Sequence, residues 1–147
     1  MDVQEILLYA IEKEIEAVDL YGRTARRAED PQLGAMLQAL KGDEEAHRRD
    51  LEELRESGLE GFRPEATLDL NLAQYVARTP LSPHATLREA LQYAMHREHD
   101  AWELYVQMAD ACEDPEARQL FQRLAVMENS HKARLEEQFY RLFLADP

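Results

Sequence analysis

Apolar residues recur along this chain at the three-and-four spacing of amphipathic helices, in four long stretches. The first presents Val3, Ile6/Leu7, Ala10/Ile11, Ala17/Val18 and Tyr21 on one face, and the second Leu33, Met36/Leu37, Leu40, Leu51 and Leu54. A third carries Leu87, Leu91, Ala94, Ala101/Trp102 and Tyr105, and a fourth Leu120/Phe121, Leu124, Leu135 and Leu142. Polar residues interrupt these stripes in one place each: Glu14, then Glu44 with His47, then Glu98, then Glu128 with His131. Six titratable side chains are therefore expected to point into the core.

The ends of the stretches carry helix-terminus chemistry. Asp2-Val-Gln-Glu5 and Thr86-Leu-Arg-Glu89 read as capping boxes, in which a side chain and a carboxylate three residues on satisfy free backbone donors reciprocally. Asp30-Pro31 and Asp114-Pro115 place a capping carboxylate before a proline at the first helical position, joining each helix pair by a tight hairpin. The second helix is expected to stop near Ser57-Gly58 and the fourth to run almost to the terminus. Between them, residues 58–85 hold Gly61, Pro64, Pro80 and Pro83 and form a linker, with room for a short helix around Leu70 to Ala77. So long a connection implies a crossover along the bundle.

The two hairpins repeat one another. With a shift of 84 positions, Leu7, Tyr9, Ala10, Glu14, Ala17, Leu20 and Tyr21 fall on Leu91, Tyr93, Ala94, Glu98, Ala101, Leu104 and Tyr105. Leu40, Glu44, His47 and Leu51 fall on Leu124, Glu128, His131 and Leu135 without a gap. The prediction is a single all-α domain over 1–147, with repeat 1 about 2–57 and repeat 2 about 86–145. Glu14 lies 16 residues before Asp30, and Glu44 and His47 lie 14 and 17 after it; the intervals around Asp114 are the same. At ~1.5 Å of rise per residue, all six groups meet near mid-bundle.

Composition narrows the chemistry. The chain has 147 residues, five Gly and six Pro, so helix is favoured and one core suffices. A formal charge of −13 argues against a nucleic-acid partner, because phosphates attract clustered Lys and Arg. The lone Cys112 excludes an internal disulfide and Cys-rich metal ligation, and fits a reducing compartment. No apolar run approaches the ~18 residues of a membrane span, and the start lacks a basic and then apolar leader, so a cytoplasmic protein is expected.

Four buried carboxylates without counter-charge cost several kcal/mol each, or else shift their pKa values. Two divalent cations balance four negative charges and leave one imidazole per ion. One Glu from each of two helices plus Glu-x-x-His from each of the others is the dinuclear carboxylate arrangement of four-helix bundles. Glu-x-x-His alone is a weak signal; two copies at core positions, each paired with an inward Glu at matched height, are a strong one.

On these residues the chain resembles the rubrerythrin-like branch of the ferritin-like di-iron family, over both hairpins. The matching residues are Glu14 with Tyr21, Asp43-Glu44-Glu45-Ala46-His47, Glu98 with Tyr105, and Glu128-Asn129-Ser130-His131. The resemblance implies a ferritin-like bundle in which Glu44 and Glu128 bridge two Fe ions, Glu14 and Glu98 bind terminally, and His47 and His131 give one nitrogen each. It implies that Tyr21 and Tyr105 hydrogen-bond a ligating carboxylate, with ordinary core packing as the alternative. Asp43 precedes Glu44 as in bacterioferritin-like motifs, a resemblance which implies that it accepts the non-ligating N–H of His131, a role Met127 cannot play for His47; a solvated helix residue is the alternative. It also implies a peroxidase or ferroxidase acting on hydrogen peroxide or dioxygen, with Fe(II) or an external electron donor as reductant, and a homodimer. Two departures stand out: Ala101 and His131 occupy positions where rubrerythrins carry further carboxylates, and the Cys-rich rubredoxin module has no counterpart in these residues. A non-catalytic iron-handling protein, a di-manganese catalase-type site, zinc occupancy and a metal-free bundle are the competing readings.

Ala17 and Ala101, one turn beyond Glu14 and Glu98, leave room for an exogenous ligand or allow close helix packing. Trp102 is expected to fill core, and Tyr9 and Tyr93 flank the stripe at positions open to a dimer contact. His84, His96 and His99 are expected outside the site, His99 because it points about 100° away from Glu98.

Overall fold

The computed structural model describes residues 3–57 and 80–145 of the chain. Four helices build it: α1 (Val3–Arg27), α2 (Pro31–Ser57), α3 (Leu87–Ala111) and α4 (Pro115–Phe139), the last continuing into a π-helical turn over Tyr140–Leu144. The capping residue Asp2 and the expected helix around Leu70 to Ala77 lie outside the described residues. Within them, no helix is long and apolar enough to cross a membrane.

The predicted ends form for the predicted reasons. Thr86 accepts from the Glu89 amide while the Glu89 carboxylate accepts from the Thr86 amide, each at 3.1 Å. Asp114 accepts from the Ala117 amide at 3.0 Å, and Asp30 from the Leu33 amide at 2.9 Å, each just ahead of a proline that has no amide hydrogen to satisfy.

α1 packs along α2 and α3 along α4, while α1 also faces α3 and α2 faces α4. The apolar side chains separate into two layers. One gathers Ile6 to Ile11 of α1, Leu51 of α2, Leu104 to Ala109 of α3 and Ala117 to Ala125 of α4. The other gathers Ala17 to Tyr21, Leu33 to Leu40, Leu91 with Ala94, and Leu135 with Phe139. The first half of α1 thus shares a layer with the second half of α3, so these helices run antiparallel, as do α2 and α4. α2 therefore ends at one pole and α3 begins at the other, which is the placement a crossover connection requires.

The second pole is closed by a contact absent from the sequence pattern. Arg141, in the π-helical turn, donates to both oxygens of Asp30 at 3.1 and 2.6 Å, and so ties the end of the second hairpin to the corner of the first. Asp30 serves as helix cap and ion-pair partner together. The Arg141 guanidinium, and then the Leu33 amide, hold its carboxyl down to about 2 from an ordinary 3.8. A depressed folded-state pKa stabilises the fold fully above the unfolded value and loses that contribution as pH falls through the folded one. Asp30→Asn keeps a good cap but removes the charge. It is expected to lower the thermal unfolding midpoint at pH 7, with the gap to the parent narrowing once pH falls below 3.8 toward about 2, as circular dichroism melts will read.

Candidate metal centre

Between the two apolar layers lies a polar one. Glu14, Glu44, Glu98 and Glu128 are each 0% exposed, with His47 at 4% and His131 at 0%. Each belongs to the inward stripe of its own helix, and the equal spacing from the two hairpin corners brings them to one level. The imidazoles of His47 and His131 lie nearly parallel, with centroids 6.0 Å apart. Their Nδ1 atoms face the carboxylates: that of His47 is 3.1 Å from Glu128 and 3.9 Å from Glu14, and that of His131 is 2.9 Å from Glu44 and 3.6 Å from Glu98.

Two overlapping ligand sets result. Glu14, Glu44, His47 and Glu128 each offer one ligand atom within 4.8 Å of the others, and so do Glu44, Glu98, Glu128 and His131. Glu44 and Glu128 belong to both sets. Hydrogen bonding draws the same distinction. Tyr105 donates to Oε1 of Glu14 at 2.5 Å and Tyr21 donates to Oε1 of Glu98, which leaves Oε2 of each without a partner. Glu44 and Glu128 have both oxygens unpartnered, and Nδ1 of each histidine makes no hydrogen bond. Two carboxylates thus keep one free oxygen and two keep a pair. Buried polar atoms are nearly always satisfied, so this many orphaned acceptors converging on one level fit bound cations.

The phenols cross between repeats: Tyr21 of the first hairpin holds Glu98 of the second, and Tyr105 holds Glu14. Burial and the neighbouring carboxylates raise both phenol pKa values well above the ordinary, so both remain hydrogen-bond donors. Asp43 meets Nε2 of His131 at 2.9 Å, as expected. With the ring so placed, Nε2–H donates to the carboxylate and Nδ1 lies on the side of the ligand layer. Met127 stands at the repeat-related position and has no carboxylate to offer His47.

The rubrerythrin family model matches residues 5–138 of the chain. The chain belongs to the rubrerythrin family. Among solved structures it is similar to a hypothetical protein from Pyrococcus furiosus, at 19% identity and a TM-score of 0.72, with 95% of this chain and 89% of that one covered. It is also similar to a conserved hypothetical protein from Mycobacterium tuberculosis, at 11% identity and 0.67, with 97% and 94% covered. A DUF305 fragment from Deinococcus radiodurans matches at 16% identity and 0.66, over 96% and 98%. At these identities the three structures establish the fold alone. No curated protein matches.

This rubrerythrin-family chain has a charged group at its centre that the sequence pattern does not reveal. Arg97 is 9% exposed, and its guanidinium lies 3.5 Å from Glu98, 3.8 Å from Glu44 and 4.0 Å from Glu128 while donating to the Lys13 carbonyl at 2.7 Å. The carboxylates therefore have a counter-charge of their own, contrary to the expectation from sequence. Position 97 sits one residue before Glu98 and so falls off the inward stripe. Ala94 and Ala101, one turn to either side, are the available signal, since small neighbours leave space for a guanidinium to turn in. The same signal surrounds Lys13, its repeat counterpart, which instead faces outward, pairs with Glu16 at 3.1 Å and covers the Tyr9 ring.

Beside Arg97 a cavity of about 350 Å³ opens between α1 and α3. Its lining includes both members of four repeat-related pairs, Tyr9 with Tyr93, Lys13 with Arg97, Glu16 with Asp100 and Leu20 with Leu104, so it straddles the axis relating the hairpins. Glu14, Ala101 and Tyr105 also line it, which joins it to the polar layer. The other histidines and the tryptophan fall outside the polar layer: His84 and His96 are exposed, His99 pairs with Glu103 at 2.9 Å, and Trp102 packs on the first apolar layer.

Protonation follows from this crowding. Burial, and then the other carboxylates, push Glu44 and Glu128 up to about 8 and Glu14 well above its ordinary value. Burial acts the same way on Glu98, but His131, Arg97 and Tyr21 outweigh it and hold its carboxyl low. Burial opposes charge on His131, yet the surrounding carboxylates raise its pKa. Burial lowers that of His47.

An acid whose folded-state pKa is raised loses stability as pH climbs from its unfolded to its folded value, and a histidine with a raised pKa does so above its unfolded value. Glu14, Glu44, Glu128 and His131 act together between 6.5 and about 8. Chelator-treated protein is expected to melt at a lower temperature at pH 8 than at pH 6.5. Divalent ions, which need deprotonated ligands, restore the midpoint with release of protons measurable by calorimetry in two buffers. A metal-free midpoint that rises over that interval contradicts the assignment. Asp43→Ala is expected to weaken one of two zinc-binding steps by roughly 10- to 100-fold and spare the other, as a calorimetric titration resolves.

Proposed function

We propose that the chain is a non-haem di-iron oxidoreductase that reduces hydrogen peroxide or dioxygen, drawing electrons from Fe(II) itself or from an external donor. The observation that carries this reading is the pair of shared carboxylates, Glu44 and Glu128, each with both oxygens free between two histidine-containing ligand sets. Two bound ferrous ions supply electrons and polarise an O–O bond. Manganese or zinc suits the same donor set, and availability selects among them.

The protein's own groups set the conditions for that chemistry. Tyr21 and Tyr105 hold Glu98 and Glu14 by one oxygen each and so present the other inward. Asp43 keeps the proton of His131 on Nε2, away from the ligand face. Ala101 borders the cavity where a longer side chain would reach the ligands, so the open approach lies on the α1–α3 face. Arg97 adds a fixed positive charge beside that approach, which favours an anionic oxidant or product. Ala101 and His131 also stand where rubrerythrins carry further carboxylates, so a histidine-to-glutamate ligand exchange has no glutamate to use.

Anaerobic addition of Fe(II) to metal-free protein, followed by peroxide or air, tests the reading through near-ultraviolet absorbance. Saturation near two irons per chain is expected, with Glu44→Ala and His131→Ala abolishing it. Spectra without features at every loading overturn the proposal. Repeated turnover with an electron donor supports the enzyme; a single oxidation followed by retention or release of iron supports an iron-handling protein.

A further inference from the structure

The cavity between α1 and α3 is larger than the proposed oxidants need. Its volume of about 350 Å³ is roughly ten times the ~30 Å³ share of a water molecule, and it falls in the range that holds small organic ligands. Leu20, Leu81, Leu104 and Ala101 give it apolar walls. Arg97 and Glu14 join these walls to the polar layer, and Arg97 is the cation of the two. Its Nη2 is committed to the Lys13 carbonyl, while its Nε is buried and meets no acceptor among the described residues. At the rim, Lys13 pairs with Glu16 and Arg23 with Asp19, at 3.1 and 2.8 Å, so the other two cations of the cavity already have partners.

Charge balance gives Arg97 a further need. Two divalent ions would neutralise the four carboxylates of the polar layer, and with neutral imidazoles the guanidinium is then that layer's one uncompensated charge, with Asp100 a further carboxylate on the cavity wall. Such a charge is costly without an anion beside it. We propose that the cavity binds a small monocarboxylic acid with an apolar tail, its carboxylate on Arg97 and its tail between α1 and α3. The inference rests on the di-metal reading, because bound cations would neutralise the carboxylates that Arg97 faces, Glu98 at Nη1 among them. It names the class of organic ligand that lies next to the centre, where a bulkless Ala101 separates it from the ligand layer.

Zinc, which has no redox chemistry, allows binding to be read apart from activity. The full chain loaded with Zn(II) is titrated with octanoate by calorimetry, with acetate and octanol as probes of head and tail alone. Octanoate is expected to bind once per chain, with acetate and octanol each weaker by roughly tenfold or more. Arg97→Gln and Ala101→Phe are each expected to weaken octanoate roughly tenfold or more. Both variants should still take up two zinc ions, the first because losing a cation favours metal binding. A zinc-loaded chain that ignores octanoate, or Arg97→Gln protein that binds it undiminished, overturns the carboxylate site and leaves the metal centre standing. A chain that takes up no zinc overturns both.

Discussion

Four carboxylates buried at one level are the constraint on which the rest of this bundle depends. In an apolar interior each needs a cation, a hydrogen-bond donor or a proton, and the structure provides for all three. Tyr21 and Tyr105 give two donors, Arg97 gives a permanent charge, and raised pKa values keep protons on Glu44 and Glu128 at neutral pH. None of these satisfies the oxygens of Glu44 and Glu128 that face each other across the layer. The apolar clusters above and below carry the folding free energy, and the polar layer between them is bound to spend some of it. Under the proposed function, metal binding would return that loss and make the fold and the site thermodynamically one system.

The division of labour among the carboxylates follows from where the phenols reach. A tyrosine two turns beyond an inward glutamate on its own helix bonds not that glutamate but the one on the antiparallel neighbour, which its long side chain reaches. Hence Tyr21 meets Glu98 and Tyr105 meets Glu14. The antiparallel pairing of α1 and α3 therefore locks both terminal carboxylates at once, and each hairpin completes the other. A single hairpin would have its glutamates but not the donors that orient them.

Much of this was legible from the chain. Periodicity located four helices, Asp30-Pro31 and Asp114-Pro115 located the corners, and the shared interval of 84 residues placed six inward groups at one height. Such features are visible because they are local or repetitive. What stayed hidden depends on which way a long side chain turns. Arg97 and Lys13 occupy equivalent positions with equivalent small neighbours, and only packing against the opposite helix decides that the first folds inward and the second outward. The bond between Arg141 and Asp30 joins residues 111 positions apart with no repeat to announce it. The crossing of the tyrosines required knowing that α1 and α3 run antiparallel, which the crossover linker implied but the stripes did not.

A duplicated hairpin yields a symmetric ligand set almost without choice, because every inward position is copied. Chemistry on a small molecule asks for the opposite, a site with one approach and two distinguishable ends. Substitutions just outside the ligand layer supply that difference. Asp43 has Met127 as its counterpart, so His131 is held by a carboxylate and His47 is not. Arg97 has Lys13, so a cation turned in toward the polar layer lies on the α3 side, while Lys13 on the α1 side pairs outward with Glu16. Both replacements leave the six inward groups intact while giving the two halves different electrostatics. Because an arginine cannot shed its charge when buried, the asymmetry it imposes persists whatever the protonation of the carboxylates around it.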